Sequence, residues 1–408
     1  MKICLVNKYL YPKGGDAVFT LQTGNLLREK GHEVVFWGMD HPLNPEYSEK
    51  ELFVPNVDYN ISTNLLHKAK KGLDVIYSFD AKRRFDKLIN KIKPDIIHFN
   101  NFAHQISPSV LHVVKKYKIP AVMTMPDYKM VCPIYTMVLN GKSCNLCKKG
   151  RFYNCALHKC TKGSIAKSTV NTIEMYLHHR LMDIYKNIKV FISTSKFQMN
   201  AIIEMGFNKK IEFLPNFINL QEFDASPMER DPNTILYFGR ISVEKGLNTL
   251  IDAVKLTKYR LKISGEGPLR DNLINKISSE KIANVSLLGY LPKSDLKKEI
   301  QSASVVVLPS ECNENNPMSI LESFGLSTPV IGAKIGGIPE LIIDTETGYT
   351  FEPGNAKDLT KKIELALSNP ATMKKMGQKA RKYLEEKYNS NSHYKELMRI
   401  YEIAKKES

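Results

Sequence analysis

The chain has 408 residues, too many for one ordinary core; since domains usually hold about 100–200 residues, the length points to two of roughly equal size. A composition of 43% hydrophobic and 25% charged residues is that of a globular protein and excludes a disordered or fibrous chain. The 59 Lys and Arg against 42 Asp and Glu give a net charge of +17, which suits an anionic partner and equally suits a lysine-rich proteome.

The opening MKICLVNKYLYP has a four-residue apolar run before Asn7, too short for a signal-peptide core, and no later run approaches the ~18 residues of a spanning helix. The expectation is a cytoplasmic protein whose seven cysteines are thiols or metal ligands rather than disulfides.

In chain order, the runs KICLVN (2–7), EVVFWG (33–38), DIIHFN (95–100), AVMTM (121–125), VFIST (190–194) and IEFLP (211–215) predict strands, apolar on both faces as buried parallel strands are. After a polar, proline-containing join at about 216–232, the rhythm repeats with TILYFG (234–239), RLKISG (260–265), NVSLLG (284–289), SVVVLP (304–309) and PVIGA (329–333), with helices over 246–257 and 268–281. Twofold α/β alternation predicts two Rossmann-like domains, 1–225 and 226–389, with ligands bound outside the carboxyl ends of the strands.

The loops at those ends carry the chemistry. Gly14-Gly15 opens a helix after the first strand, where absent side chains let an anion approach free N–H groups; a plain strand-to-helix turn accounts for the pair equally well. No G-x-G-x-x-G occurs there, which counts against an ordinary dinucleotide site. Arg240 and Lys245 flank the next such turn and form a plausible clamp for a doubly charged leaving group. The GEGP turn, with Gly265 and Gly267, could cradle a base or ribose and is equally an ordinary glycine-rich turn into a helix. In PSECNENNPMSILESFG, Pro317 is expected at the first helical position with Asn316 as N-cap, leaving the N–H groups of Met318 and Ser319 aimed out of the helix. Glu314 before that helix and Glu322 within it suit hydroxyls on either side of a phosphate, as in a nucleotide-sugar.

Together Glu314-x7-Glu322, Arg240, Lys245, Gly14-Gly15 and the GEGP turn resemble the retaining glycosyltransferases of family 4, over nearly the whole chain and in the expected order. The resemblance implies the GT-B fold: two Rossmann-like domains facing across a cleft, with a last helix at about 390–408 crossing back to the first domain. It implies that Glu322 binds ribose hydroxyls, Glu314 the donor sugar's hydroxyls, and Arg240, Lys245 and the N–H groups of Met318 and Ser319 the diphosphate. Gly14-Gly15 would close over the phosphates, and no catalytic metal or protein nucleophile is implied. Bacterial members of this kind assemble surface polysaccharides, with a nucleoside-diphosphate sugar as donor and a glycan or polyprenyl-diphosphate-linked acceptor.

One motif departs from the family. Thr124-Met125-Pro126-Asp127 has proline where many members have the histidine of T-x-His-Asp, which keeps open a second reading, a catalytically silent nucleotide-sugar-binding partner subunit. On the acceptor side the candidates are His98, His104, Asp127 and Lys129, with a hydrogen-bonded structural role the alternative for each histidine.

A cysteine-rich insertion at about 127–165 contains Cys132 and the spaced set Cys144, Cys147, Cys155 and Cys160, which has the composition of a structural zinc site or of a loop packed with reduced thiols. The basic, partly amphipathic stretches 65–93 and 148–189 read either as solvated helices or as surfaces for an anionic membrane, placing the protein at the inner face of the cell membrane. A nucleic-acid module on the basic cysteine loop would leave Arg240, Lys245, Glu314 and Glu322 without a role, so no nucleic acid is expected.

Overall fold

In the computed structural model, which describes residues 1–56, 74–223 and 229–407, all six runs of the first half form strands. They are β1 (Lys2–Val6), β2 (Glu33–Trp37), β3 (Ile96–Phe99), β4 (Ala121–Met125), β5 (Val190–Ser193) and β6 (Ile211–Phe213). They pair in parallel in the order β6-β5-β4-β3-β1-β2, the first strand lying inside the sheet and the chain winding outward from it in both directions. Every residue of β3 and β4 is buried, which is why these strands read as continuous apolar runs rather than as alternating ones.

In the second half, β7 (Asp231–Phe238), β8 (Arg260–Ser264), β9 (Val285–Gly289), β10 (Ala303–Leu308) and β11 (Val330–Ala333) are the five expected strands, and β12 (Gly348–Phe351) is a sixth. Their order is β9-β8-β7-β10-β11-β12, again all parallel. Successive residues feed opposite faces. Ile235, Tyr237, Val305 and Val307 join one core with the helix Leu247–Val254, whereas Leu236, Phe238, Val306 and Leu308 join another with the helix Met318–Gly325. Each central strand thus loses both faces to helices, which removes its side chains from water at ~25 cal/mol per Å² of apolar surface.

The chain divides into two compact units, one made of Met1–Leu139, Cys144–Pro215 and His393–Ser408, the other of Asn140–Ser143 and Asn216–Ser392. The last helix, Ser390–Lys406, belongs almost wholly to the first unit, because Leu397, Ile400, Tyr401 and Ala404 recur at helical spacing and are buried in that unit's core. Of the basic stretch 65–93, residues 65–73 lie outside the described ones, and Phe79–Ile92 is a helix capped by the Ser78 hydroxyl, which accepts from the Ala81 N–H at 3.2 Å.

Candidate active site

Four elements that occur in chain order are labelled α1 (Gly15–Glu29), α2 (Ile165–Tyr176), α3 (Lys293–Ser302) and α4 (Met318–Gly325). In the second unit the end of β10 runs into the loop that carries Glu314. That carboxylate is fixed from both directions: its Oε1 receives the Lys245 ammonium and the Ser310 hydroxyl, the latter at 2.7 Å, while its backbone O accepts from the Gly337 N–H at 2.7 Å. Both side-chain bonds fall on Oε1. Burial works to lower the Lys245 pKa, but Glu314 and Cys312 outweigh it, so the ammonium is held charged.

Lys245 reaches this position because Gly246, at φ +68, brings its loop against the end of β10; a Cβ on Gly246 would lie 1.9 Å from the Pro309 O. The lysine closes a short 3-10 turn, Val243–Lys245, one residue before the following helix begins. Arg240 stays exposed, its backbone O held by the Tyr237 hydroxyl at 2.8 Å. Gly265 and Gly267 are explained by close approach to a neighbouring loop. Their added Cβ atoms would lie 1.9 Å from the Gly239 O and 2.2 Å from the Ile241 O.

The start of α4 differs by one residue from the expected cap. Pro317, at φ −66 and ψ 121, is itself the N-cap, and Asn316 is turned away to Asn216: the Asn316 Oδ1 accepts from the Asn216 N–H at 3.1 Å and the Asn316 O from Asn216 Nδ2 at 2.7 Å. Two asparagines clamping each other are better satisfied than one capping a helix whose cap position proline already fills. No side chain caps α4, so the N–H groups of Met318 and Ser319 have no acceptor within the helix.

The other end of α4 is heavily bonded. Arg230 donates to the Leu326 O (3.1 Å), the Ser327 O (3.0 Å), the Ala303 O (2.9 Å) and the Thr328 hydroxyl (2.8 Å), and Arg381 donates to the Gly325 O and, at 2.9 Å, to the Phe223 O. Two guanidiniums at the carboxyl end and nothing at the amino end leave the helix's positive pole for an anion. Glu322, half-buried on α4, has its carboxyl pushed up to about 7 by burial, against the opposing pull of Lys293 and Lys297 on α3.

In the first unit Gly14 precedes α1 in an extended conformation, exposed, and caps it with no side chain. His98 is 1% exposed, with Nδ1 2.8 Å from the Tyr401 hydroxyl and Nε2 2.8 Å from the Thr124 hydroxyl; burial lowers its pKa to about 3. It ties β3 to β4 and to the last helix as a neutral imidazole, the structural role of the two considered.

His104, Lys129 and Asp127 do come together, around a residue the sequence did not single out. Glu174, fully buried on α2, accepts from Lys129 Nζ at 2.8 Å, and Lys129 also faces His104 Nε2 (3.1 Å) and donates to the Pro133 O (3.1 Å). Glu174 Oε2 lies 3.5 Å from the same Nε2, so the ammonium, the imidazole and the carboxylate form one cluster. Burial works to raise the Glu174 pKa, yet Lys129, with His104 and His178, holds it well below the usual range. The π-helical turn Leu177–Leu181 sets His178 beneath it, Nδ1 3.8 Å from Glu174 Oε1 and Nε2 donating to the Ile76 O at 2.6 Å. Asp127 Oδ1 accepts from the Lys129 N–H at 2.9 Å, and burial raises its pKa. No pattern in the sequence joins Glu174 to Lys129, which lies 45 positions away.

The zinc ligand set does not form. The thiols are near neighbours, with Cys147 and Cys160 each pushed up to about 12 by burial and then by the other cysteines, but among the described residues no three His, Cys, Asp or Glu side chains are placed to hold a metal ion. Cys155, 1% exposed, and Cys160 share a hydrogen bond, Cys132 packs into the first unit's core, and all of these cysteines are free thiols.

Residues 220–383 match the model of the group 1 glycosyl transferases, and residues 13–125 that of glycosyltransferase family 4. An uncharacterized 42.6 kDa protein in the cps region of Klebsiella pneumoniae is 27% identical over 353 residues, 84% of this chain and 87% of that one. Among solved structures, sucrose-phosphate synthase from Thermosynechococcus elongatus superposes with a TM-score of 0.74 at 18% identity over the whole of both chains. HepE of Anabaena in complex with UDP-glucose does so at 0.65, with 15% identity over 98% of this chain and 99% of that one. These likenesses show the GT-B fold of two parallel-sheet, Rossmann-like domains. With glycosyltransferase models matching residues 13–125 and 220–383, the chain is a glycosyltransferase.

Proposed function

We propose that the chain is a retaining glycosyltransferase that moves a sugar from a nucleoside-diphosphate sugar to a hydroxyl of a glycan or lipid-linked acceptor in surface-polysaccharide assembly. The observation that carries this reading is α4: an uncapped amino end beside Lys245, a carboxyl end secured by two arginines, and carboxylates at Glu314 and Glu322 on either side. In this reading the diphosphate sits on the N–H groups of Met318 and Ser319 with Lys245 and the exposed Arg240, Glu322 takes the ribose hydroxyls, and Glu314 Oε2 faces the sugar. Charge developing on the leaving diphosphate is stabilised by these fixed cations and dipoles, and the diphosphate oxygen takes the acceptor's proton, so no metal is invoked. The cps-region relative supports the polysaccharide setting, and the UDP-glucose complex of HepE a donor of that class.

A place at an anionic membrane surface belongs to the same proposal. Leu146, Tyr153, Leu157 and Ile165 are exposed apolar side chains interleaved with Lys148, Lys149, Arg151, Lys159, Lys162 and Lys167. Among the described residues no helix is long and apolar enough to cross a membrane.

The test is calorimetric titration of UDP-, GDP- and dTDP-sugars into the wild type and Glu322→Ala. Binding of one class that the substitution weakens at least about tenfold is expected, from loss of charged hydrogen bonds; unaltered affinity in the variant would overturn the site assignment. The silent-relative reading, favoured by Pro126, is supported if a bound donor is never turned over.

A further inference from the structure

Behind Pro126, in the first unit, lies a cavity with room for a group about the size of one water molecule, walled by Asn100, Met123, Pro126, Asp127, Lys129 and Tyr185. Asn100 follows the end of β3, and its N–H donates to the Val6 O at 2.8 Å, which fixes the backbone. Its side chain is different. The residue is 3% exposed, and neither Oδ1 nor Nδ2 has a hydrogen-bond partner among the described residues. A buried amide with both ends unsatisfied is costly, and an apolar side chain of similar shape would be more stable there.

The other groups at the cavity narrow its occupant. The Lys129 ammonium donates to the Glu174 carboxylate and the Pro133 O and faces His104 Nε2, which leaves its stem for the cavity. Asp127 spends Oδ1 on the Lys129 N–H, and its Oδ2 takes no bond among the described residues. What remains is one amide donor, one amide acceptor, one carboxylate oxygen and the Tyr185 hydroxyl around a water-sized space. A hydroxyl group has one donor and two acceptor positions, so it can accept from Nδ2 and from the hydroxyl of Tyr185, which also walls the space, and donate to Asp127 Oδ2; an ammonium would leave Nδ2 unpaired, and a phosphate is too large and is repelled by Asp127. Asn101, Ala103, Pro126 and Asp127 are only half-buried, so the cavity has an approachable rim.

We infer that Asn100 and Asp127 seat one hydroxyl of the acceptor sugar, and that this seat stands where the family's histidine is replaced by Pro126. The inference rests on the transferase reading. The Lys129–Glu174 pair holds the loop behind the seat and does not touch the ligand.

The test uses the full chain with whichever nucleotide-sugar it turns over, and methyl glycosides of glucose, galactose, mannose and N-acetylglucosamine as acceptor probes, together with their monodeoxy analogues. Asn100→Leu should raise the acceptor KM about tenfold, the loss of a hydrogen-bonded hydroxyl, while nucleotide affinity holds and the melting temperature does not fall. One monodeoxy glycoside should lose about the same factor with the wild type and nothing further with Asn100→Leu. An unchanged KM, a lower melting temperature with weakened nucleotide binding, or additive losses for the variant and every deoxy analogue would overturn the inference, the last two leaving Asn100 a structural residue with a structural water. Donor turnover with no transfer to any glycoside would also overturn it, whereas failure to bind any nucleotide would overturn the functional reading instead.

Discussion

If the Glu322 carboxyl titrates near 7 and must be ionised to accept hydrogen bonds from ribose hydroxyls, donor affinity should depend on pH across neutrality. About a tenth of the protein would carry the carboxylate at pH 6 and about nine tenths at pH 8, so affinity should rise about tenfold, or ~1.4 kcal/mol. A nucleotide-sugar is the right ligand because its diphosphate, esterified at both ends, does not titrate in that range. The same shift bears on stability with the opposite sense. A carboxyl raised from 4.5 to about 7 on folding binds more protons in the folded state, so its contribution is fully present below pH 4.5 and lost as pH rises through 7. Because the residue is only half-buried, that loss is at most about 3 kcal/mol. Glu322→Gln should therefore unfold at higher denaturant than the wild type at pH 8, match it at pH 4, and bind donor weakly at both. Calorimetric titrations and denaturant melts at the two pH values check this. Wild-type affinity that is flat with pH, or a glutamine variant that keeps a pH-dependent affinity, would refute the reasoning, since the titrating group would then be elsewhere.

Lys245→Met should lower kcat/KM for donor turnover by about a hundredfold through loss of a charge-assisted contact to the leaving group, and the double variant with Glu314→Gln should lose much less than the sum, measured by steady-state kinetics. Arg230→Ala removes four hydrogen bonds, two of them to the carbonyls that follow α4, and should cost about 2–4 kcal/mol in denaturant melts. Glu174→Ala strands the buried Lys129 ammonium and should cost about 3–5 kcal/mol, with Lys129→Met restoring part of it in the double variant. Because the Glu174 pKa is lowered on folding, its stabilisation is present above its ordinary 4.5 and lost as pH falls below that, so the wild type but not the double variant should lose this contribution in acid melts.

The doubly wound architecture was legible because a strand buried on both faces must be apolar throughout, and eleven such runs punctuated by turn residues left little choice. β12 escaped because GYTF is four residues long and follows the polar DTET, so its burial comes from the sheet and not from its own pattern. The start of α4 was readable from Pro317; the cap was misplaced by one residue because the competitor for Asn316, Asn216, is 100 positions away in sequence. Long-range pairs of that kind also hid the Lys129–Glu174 centre, whose members are 45 positions apart. Cysteine spacing left zinc and packed reduced thiols both open for a related reason: spacing says which thiols are neighbours along the chain and not how their sulfurs are placed, and among the described residues no three such side chains are set to hold a metal ion.

The central claim is that this chain activates a nucleoside-diphosphate sugar in its second domain and keeps the anomeric configuration. Incubating the full chain with a panel of nucleotide-sugars in the absence of acceptor, and following the released sugar by NMR at early times, tests it most directly. The account predicts slow hydrolysis of one donor class, with the first-formed sugar in the donor's own anomeric configuration and with turnover lost in Lys245→Met. Release of the opposite anomer, or no turnover of any donor by a chain that binds one, would contradict it.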